Sequence, residues 1–302
     1  MNLWITQHDG QDAIGELPDT VALELIPPEG EPPEAILDAE FLVLSSRDRS
    51  TRALLGRMSA LRVIQTLSAG VDWLLADVPP GVRVCDAAGA RDAAVAEWVL
   101  AAVLASTRCL PELRDRQREH RWEWQQSGEL AGSMVLILGY GAIGAAVEAR
   151  LAPFEVEFIR VARHARPGVH AVAGLASLLP RADAIIVLLP LTLATAGLLD
   201  ADMLSRLRPN ALLINAARGP IVDTAALLAL LRGGNLRAVL DVTDPEPLPS
   251  DHPLWDAPGL LITPHFAGDT LAADRRAFAL AGEQVRRYVR GEALLNAVEG
   301  DY

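Results

Sequence analysis

The stretch MVLILGYGAIG, residues 134–144, decides the fold of this chain. Its first five residues form an apolar run that predicts a buried strand, and the glycines follow at once in the spacing G-x-G-x-x-G. In this pattern the first glycine makes a tight turn, the second admits a pyrophosphate, and the third lets the next helix pack closely. The N-terminus of that helix presents N–H groups and partial positive charge to phosphates. The stretch therefore predicts a dinucleotide-binding unit, whose candidate binding residues are Gly139, Tyr140, Gly141, Ala142, Ile143 and Gly144.

More apolar runs follow this stretch, with helical segments between most of them. They are FIRV (158–161), AIIVLL (184–189), ALLIN (211–215), AVLDV (238–242) and LLI (260–262). This alternation predicts a doubly wound parallel sheet, which is the Rossmann type of α/β fold.

A second, smaller α/β unit precedes the stretch. Buried parallel strands are predicted at FLVL (41–44) and VIQTL (63–67), with a shorter candidate at RVC (83–85). A long helix is expected from about Asp92, with a break at Pro111, and a last helix from about Thr270 to Arg290. The tail after it is too short for a domain. We therefore expect a dinucleotide-binding domain at 93–282, inserted into a substrate domain made of 1–92 and 283–302.

Composition narrows the classes of partner. The chain has 302 residues, 51% of them hydrophobic, and a net charge of −12. That charge disfavours nucleic acid and anionic membrane surfaces, both of which favour basic patches. The two cysteines fit a reducing compartment, and the N-terminus lacks the features of a signal peptide. We expect a cytoplasmic protein with no membrane span, no nucleic-acid partner and no metal site.

The end of the second strand of the predicted Rossmann unit bears on the choice of cofactor. NAD enzymes usually carry an Asp or Glu there to hold the ribose 2′-OH. This chain has Ala162 at that position, and Arg163 and Arg166 follow it. Two arginines can bind a 2′-phosphate, so the sequence favours NADP(H), with NAD(H) possible.

Ionisable residues follow three of the later strands. Arg218 comes after ALLIN, and His265 follows LLITP. Asp241 directly follows RAVL, and Glu246 lies further along the same loop. Ligands of doubly wound sheets bind outside the carboxyl ends of the strands, so these side chains are expected at one edge. An arginine can hold a carboxylate, and a histidine paired with a glutamate can move a proton. This set suits interconversion of a 2-oxo acid and a 2-hydroxy acid.

Motifs along nearly the whole chain resemble those of the D-isomer-specific 2-hydroxyacid dehydrogenase family. They are LSAGVD (67–72), AVAE (94–97), LGYGAIG (138–144), LPLTLAT (189–195), INAARGPIVD (214–223), LDVTDPEPLP (240–249), HPLW (252–255) and TPHFAG (263–268). The resemblance implies a cofactor domain inserted into a smaller flavodoxin-like substrate domain.

The resemblance also implies roles for individual residues. His265 matches the catalytic acid/base, Glu246 its carboxylate partner, and Arg218 the arginine that holds the substrate carboxylate. The backbone N–H groups of Ala69, Gly70 and Val71 would receive that carboxylate. Asp241 matches the residue near the nicotinamide carboxamide. The other cofactor-binding positions implied by the motifs, besides the glycine-rich loop and the two arginines, are Pro190, Thr195, Ala216, Arg218, His265 and Gly268.

Family members dimerise through the region of the long helix, which here is more apolar than one buried face requires. The apolar residues are Val95, Trp98, Val99, Leu100, Val103 and Leu104. We therefore predict a homodimer.

Departures from the family pattern leave alternatives open. Members that act on 3-phosphoglycerate often have an arginine near the end of the second substrate-domain strand, where this chain has Leu44-Ser45-Ser46 and then Arg47. The turn at Ala162 resembles that of glyoxylate and hydroxypyruvate reductases that use NADPH, and such small 2-oxo acids are the favoured substrates. Phosphite stays open as a substrate. A binding protein of another class, like the co-repressors built on this fold, is the rival to an enzyme.

Overall fold

The computed structural model describes residues 1–7 and 9–298 of the chain. Its strands are β1 (Asn2–Thr6), β2 (Ala22–Ile26), β3 (Phe41–Leu44), β4 (Val63–Thr66), β5 (Arg83–Cys85), β6 (Met134–Leu138), β7 (Glu157–Ala162), β8 (His170–Ala171), β9 (Ala184–Val187), β10 (Ala211–Asn215), β11 (Leu236–Leu240) and β12 (Leu260–Ile262). Its α-helices are α1 (Arg49–Leu54), α2 (Asp92–Thr107), α3 (Leu110–Arg118), α4 (Ala142–Leu151), α5 (Leu175–Leu178), α6 (Ala201–Ser205), α7 (Thr224–Arg232) and α8 (Leu271–Val289).

The chain divides into two compact units. One contains Met1–Asp92 together with Asp269 onward, and the other is Ala93–Gly268. The expected second boundary, between 282 and 283, is replaced by one between 268 and 269. The reason is that α8 is one continuous helix, and its residues Ala277, Phe278 and Ala281 are buried in the same core cluster as Leu3 and Phe41. Residues 299–302 of the expected tail lie outside the described residues.

The first unit is built on a five-stranded parallel sheet in the order β2-β1-β3-β4-β5. This is the flavodoxin-like order. Helix α8 packs closely on the N-terminal segment of this unit, since a Cβ at Gly282 would lie 1.9 Å from the carbonyl oxygen of Ile14. After α8 the chain returns to the sheet, where Ala297 forms an antiparallel bridge with Cys85 and the Val298 N–H donates to the Val84 carbonyl.

The second unit is built on a seven-stranded parallel sheet in the order β12-β11-β10-β9-β6-β7-β8. The order reverses at β6, so β6 and β9 flank the topological switch point of a Rossmann sheet. Apolar residues cover both faces of this sheet in two core clusters. Together the two parallel sheets confirm the predicted α/β fold class.

Helices α2 and α3 are separate, as Pro111 predicted. Pro111 lies in the first turn of α3, where its missing N–H costs nothing, and the two helix axes differ by 65°. Within residues 1–7 and 9–298, no individual helix has both the length and the apolar character needed to cross a bilayer, and α2 with α3 meets these criteria only as a bent pair.

Candidate active site

The glycine-rich loop joins β6 to α4, and each of its glycines has a distinct steric reason. Gly139 has φ +110°, and a Cβ there would lie 2.5 Å from the backbone carbon of Leu188. A Cβ at Gly144 would lie 2.8 Å from the carbonyl oxygen of Gly139. At Gly141 an added Cβ would meet no atom within 4 Å, so the backbone there is open to a close-lying ligand. This pattern fits a pyrophosphate on the N-terminus of α4.

The turn after β7 carries the two predicted arginines. It is tied to the glycine-rich loop because the N–H groups of Gly139 and Tyr140 both donate to the Val161 carbonyl, at 2.9 and 2.8 Å. Arg166 donates to the Tyr140 carbonyl at 2.5 Å, and its guanidinium carbon lies 5.8 Å from the Tyr140 ring centre. Arg166 therefore lies over the loop.

Arg163 and its neighbours complete this turn. Ala162 is buried and Arg163 is exposed, and within the described part of the chain Arg163 makes no hydrogen bond or ion pair. The Arg160 guanidinium is paired with Glu148 on α4 through two hydrogen bonds, of 2.5 and 2.6 Å. The turn thus offers two cationic groups and no carboxylate after Val161.

The loop after β9 contains Pro190 and Thr195. The Thr195 hydroxyl donates to the Pro190 carbonyl at 2.6 Å and accepts from the Thr192 N–H at 2.8 Å. The side chain of Thr195 therefore fixes the shape of a loop that begins at the switch point of the sheet.

Arg218 lies on the loop after β10. The side chain of Asn215, at the end of the strand, accepts from the Ala217 N–H and donates to the Arg218 carbonyl, each at 3.0 Å. The N–H of Ala216, another predicted cofactor contact, donates to the Val187 carbonyl. Gly219 follows Arg218 and approaches the next loop so closely that a Cβ would lie 1.9 Å from the Thr243 carbonyl oxygen. These contacts fix the Arg218 loop against the loop that carries Glu246.

Glu246 and His265 form a hydrogen-bonded pair. Glu246 Oε1 lies 2.6 Å from His265 Nδ1, although the residues follow different strands, β11 and β12. The His265 side chain is 46% exposed, so its imidazole remains accessible. With Nδ1 directed at the carboxylate, Nε2 is the nitrogen available for proton transfer.

The charges around this pair favour protonated histidine. The pKa of His265 is raised, chiefly by the hydrogen bond to Glu246, while burial and the charge of Arg218 oppose the rise. Burial raises the pKa of Glu246, but the hydrogen bond from His265 and the charges of His265 and Arg218 outweigh it and leave the pKa lowered. The pair therefore forms a carboxylate that supports an imidazolium, with Arg218 near enough to act on both.

Asp241 directly follows β11 and is bonded to the turn after β12. Its carboxylate is buried and accepts from three groups of the chain: the Thr263 hydroxyl at 2.7 Å and the N–H groups of Phe266 and Ala267 at 3.0 Å. Both oxygens thus accept from the turn that presents His265. Gly268, another predicted cofactor contact, is the last residue of this unit.

The predicted substrate loop, Ala69 to Val71, belongs to the other unit and follows β4. The Gly70 carbonyl accepts from the Ser68 hydroxyl at 2.9 Å and from the Trp73 indole at 3.0 Å. These two bonds fix the direction of the peptide groups in this loop.

Three residues that shape the site were not selected from the sequence: Asn215, Gly219 and Thr263. Each of them carried a signal in the sequence. Asn215 is a polar residue at the end of an apolar strand, and Gly219 directly follows the candidate arginine. For Thr263 the signal is its place before a proline at a strand end. Among the described residues, no group of three His, Cys, Asp or Glu side chains could hold a metal ion.

Comparison with known proteins places the chain among dehydrogenases. A sequence profile for the D-isomer specific 2-hydroxyacid dehydrogenase NAD binding domain matches residues 100–267. The D-3-phosphoglycerate dehydrogenase of Mycobacterium tuberculosis is 35% identical over 275 residues, which are 87% of this chain and 52% of that protein. The chain therefore spans about half the length of this relative. A glyoxylate reductase/hydroxypyruvate reductase of Mus musculus is 34% identical over 276 residues, 86% of this chain and 84% of the mouse protein.

A solved structure agrees with these sequence matches. A D-isomer specific 2-hydroxyacid dehydrogenase from Xanthobacter autotrophicus, in complex with NADPH and MES, superposes with a TM-score of 0.84. It is 31% identical, and the match covers 98% of each chain. The chain belongs to the D-isomer specific 2-hydroxyacid dehydrogenase family.

Proposed function

We propose that the protein is an oxidoreductase that interconverts small 2-oxo acids and D-2-hydroxy acids, with glyoxylate and hydroxypyruvate as the favoured 2-oxo substrates. The observation that carries the proposal is the 2.6 Å contact between His265 and Glu246, beside Arg218, at the same sheet edge as the glycine-rich loop. A raised histidine pKa suits a group that must give a proton near neutral pH. A co-repressor-like binding protein would not need this pair.

The site residues have separate roles in the proposed reaction. The nicotinamide cofactor, when bound, supplies or accepts the hydride. Protonated His265 gives a proton from Nε2 to the carbonyl oxygen of the 2-oxo acid, and Glu246 holds Nδ1 and stabilises the imidazolium. Arg218 binds the substrate carboxylate. In the reverse direction neutral His265 takes the hydroxyl proton.

NADP(H) is the cofactor that we propose as preferred, held by the loop 139–144 and by Arg163 and Arg166. The absence of a carboxylate at Ala162 and the position of Arg166 over Tyr140 support this preference. A charge-assisted contact contributes about 1.5–3 kcal/mol, so kcat/KM for NADPH should exceed that for NADH by roughly one or two powers of ten. The double variant Ala162→Asp, Arg163→Ala should reverse the preference, chiefly through KM for the cofactor. Equal kcat/KM for both cofactors in the unmodified protein would contradict the proposal.

The direct test of the reaction is a substrate panel. Glyoxylate, hydroxypyruvate, pyruvate, bulkier 2-oxo acids and phosphite would each be assayed with the matching form of both cofactors. His265→Gln should remove most turnover while NADPH affinity stays near normal, because the imidazole acts on the substrate oxygen. Near-normal kcat in this variant, or no turnover of any 2-oxo acid by the unmodified protein, would refute the proposal.

A phosphorylated substrate is the second candidate, because the mycobacterial relatives are phosphoglycerate dehydrogenases. Two arginines after β3 already have acidic partners: Arg47 lies 3.1 Å from Asp269, and Arg52 lies 3.0 Å from Asp77. This neutralisation favours unphosphorylated substrates. Adding phosphohydroxypyruvate to the panel separates the two candidates. If the substrate is phosphorylated, kcat/KM for phosphohydroxypyruvate should exceed that for hydroxypyruvate.

We also propose a homodimer. The apolar residues of α2 that suggested it are largely used within the subunit, because Val95, Val99 and Val103 are buried in its own core. Support comes instead from the next segment, where Trp122 is fully exposed and Trp124 is 86% exposed. Exposed aromatic residues in such a cluster are typical of protein interfaces. Sedimentation should show a dimer, and the double variant Trp122→Ser, Trp124→Ser should dissociate at lower dilution. A monomeric unmodified protein would contradict this proposal.

The cytoplasm is the compartment that we propose. Cys85 and Cys109 are both free thiols, and burial raises the pKa of Cys85 to about 11, which keeps that thiol protonated and unreactive. A reducing compartment fits such a pair. Fractionation of cells that produce the protein tests this placement.

A further inference from the structure

The turn Thr263–Ala267, which presents His265, folds around the carboxylate of Asp241. Asp241 Oδ1 accepts from the Thr263 hydroxyl and the Phe266 N–H, and Oδ2 accepts from the Ala267 N–H. The Asp241 carbonyl oxygen accepts a fourth bond, from the His265 N–H at 2.7 Å. One buried residue therefore receives hydrogen bonds from four residues of this turn.

The backbone of His265 needs such support. Its φ is +53°, in the left-handed region that non-glycine residues adopt only at a steric cost. Residues in this region persist only where their surroundings determine the conformation. The bonds of Asp241 fix the residues on both sides of His265 and thereby hold it in this conformation.

We propose that Asp241 is a positioning residue, which acts by holding the turn 263–267 so that His265 meets Glu246 and the substrate oxygen. This inference rests on the proposed function. It adds to the role near the nicotinamide carboxamide that the family resemblance implies. An ionised carboxylate has about four acceptor sites, and three of those of Asp241 accept from the turn, so Oδ2 keeps one site for a ligand.

The electrostatic surroundings agree with this role. The charged groups that act on His265 are Glu246, Arg218 and Asp241, of which the two carboxylates raise its pKa and the guanidinium lowers it. Loss of the Asp241 charge, or loosening of the turn, should therefore lower the pKa of His265.

Thr263 provides the sharper test because it is not itself a charged group. Thr263→Val removes the hydroxyl that donates to Asp241 at nearly constant volume, and Thr263→Ser keeps the donor as the matched control. We expect kcat to fall roughly tenfold in the valine variant, less than the 10²-fold that a 1 Å misplacement can cost. The serine variant should stay within about twofold of the unmodified protein, and NADPH affinity should be unchanged in both.

Asp241→Asn is the second variant. Whichever way the amide turns, its NH2 group faces at least one N–H or O–H donor of the turn, so kcat should fall by about 10²-fold. The pH at which reduction declines should also move to lower values. If this pH does not move in Asp241→Asn, or if Thr263→Val behaves as Thr263→Ser, the positioning role is wrong.

A titration of the His265 imidazole by NMR, assigned with His265→Gln, makes the test independent of turnover. The pKa should be lower in Thr263→Val than in Thr263→Ser, and equal values would overturn the inference. Absence of activity in the unmodified protein would refute the proposed function alone, because this titration still reports on the turn.

Discussion

Gly219 lies between Arg218 and the loop that carries Glu246, and under the proposed mechanism its replacement by alanine should damage catalysis. A Cβ at residue 219 would lie 1.9 Å from the Thr243 carbonyl oxygen, whereas real Cβ contacts stay beyond 3.0 Å. The two loops must then separate by about 1.1 Å, because the packed interior leaves no other space. If the displacement extends along the loop to Glu246, the distance from Glu246 Oε1 to His265 Nδ1 increases from 2.6 Å to about 3.7 Å. That distance is too long for a hydrogen bond.

The expected result of Gly219→Ala is a fall of about 10²-fold in kcat and a loss of about 1–3 kcal/mol of stability from overpacking. Steady-state reduction of glyoxylate with saturating NADPH, measured across pH, and thermal unfolding would check both. Gly174→Ala is the matched control in the same unit, since its φ is −91° and an added Cβ meets nothing within 4 Å. A folded Gly219→Ala protein with unchanged kcat and pH profile would refute this reasoning.

Three further substitutions test the site. Glu246→Gln removes the hydrogen bond and charge that raise the pKa of His265, so the fall in reduction at high pH should begin at lower pH; superimposable profiles would show that the pair is uncoupled. Arg218→Lys should lower kcat/KM by about 10²-fold for every 2-oxo acid, because an ammonium cannot form the planar fork, and a loss confined to one substrate would contradict carboxylate binding. Thr195→Val removes the bond to the Pro190 carbonyl and should raise the cofactor Kd severalfold in a fluorescence titration, with Thr195→Ser near normal; equal Kd values would show that this loop does not contribute.

The larger sheet could be predicted from the sequence because its strands are buried on both faces. Each of β6, β9 and β10 is a continuous apolar run, and such runs stand out between helices. The edge strands β2 and β8 were missed for the converse reason. Most residues of β2 are exposed, and β8 has two residues, so neither has a run to detect. The position of the second domain boundary depends on which core α8 enters, and the apolar face of a helix does not specify its partner.

The candidate catalytic residues could be selected from the sequence because their chemistry and their position after strand ends coincide. Arg218, Glu246 and His265 are polar residues on the loops that follow apolar strands of a parallel sheet. Asp241 had the same signal, but its sequence position does not tell whether its carboxylate faces a ligand or the chain. That distinction depends on the hydrogen bonds of the turn after β12, which form only once the register of β11 and β12 is set.

This register explains the position of His265, the proposed proton-transfer residue. Leu240 pairs with Ile262, so Asp241 and Thr263 are neighbours at the point where both strands end. Pro264 lacks an N–H and cannot extend β12, and the N–H groups of the following residues need other acceptors. The buried carboxylate of Asp241 accepts two of them, and the turn that results places His265 beside Glu246. A shift of one residue would direct the Asp241 side chain to the other face of the sheet, so the geometry of the site follows from the pairing of two short strands.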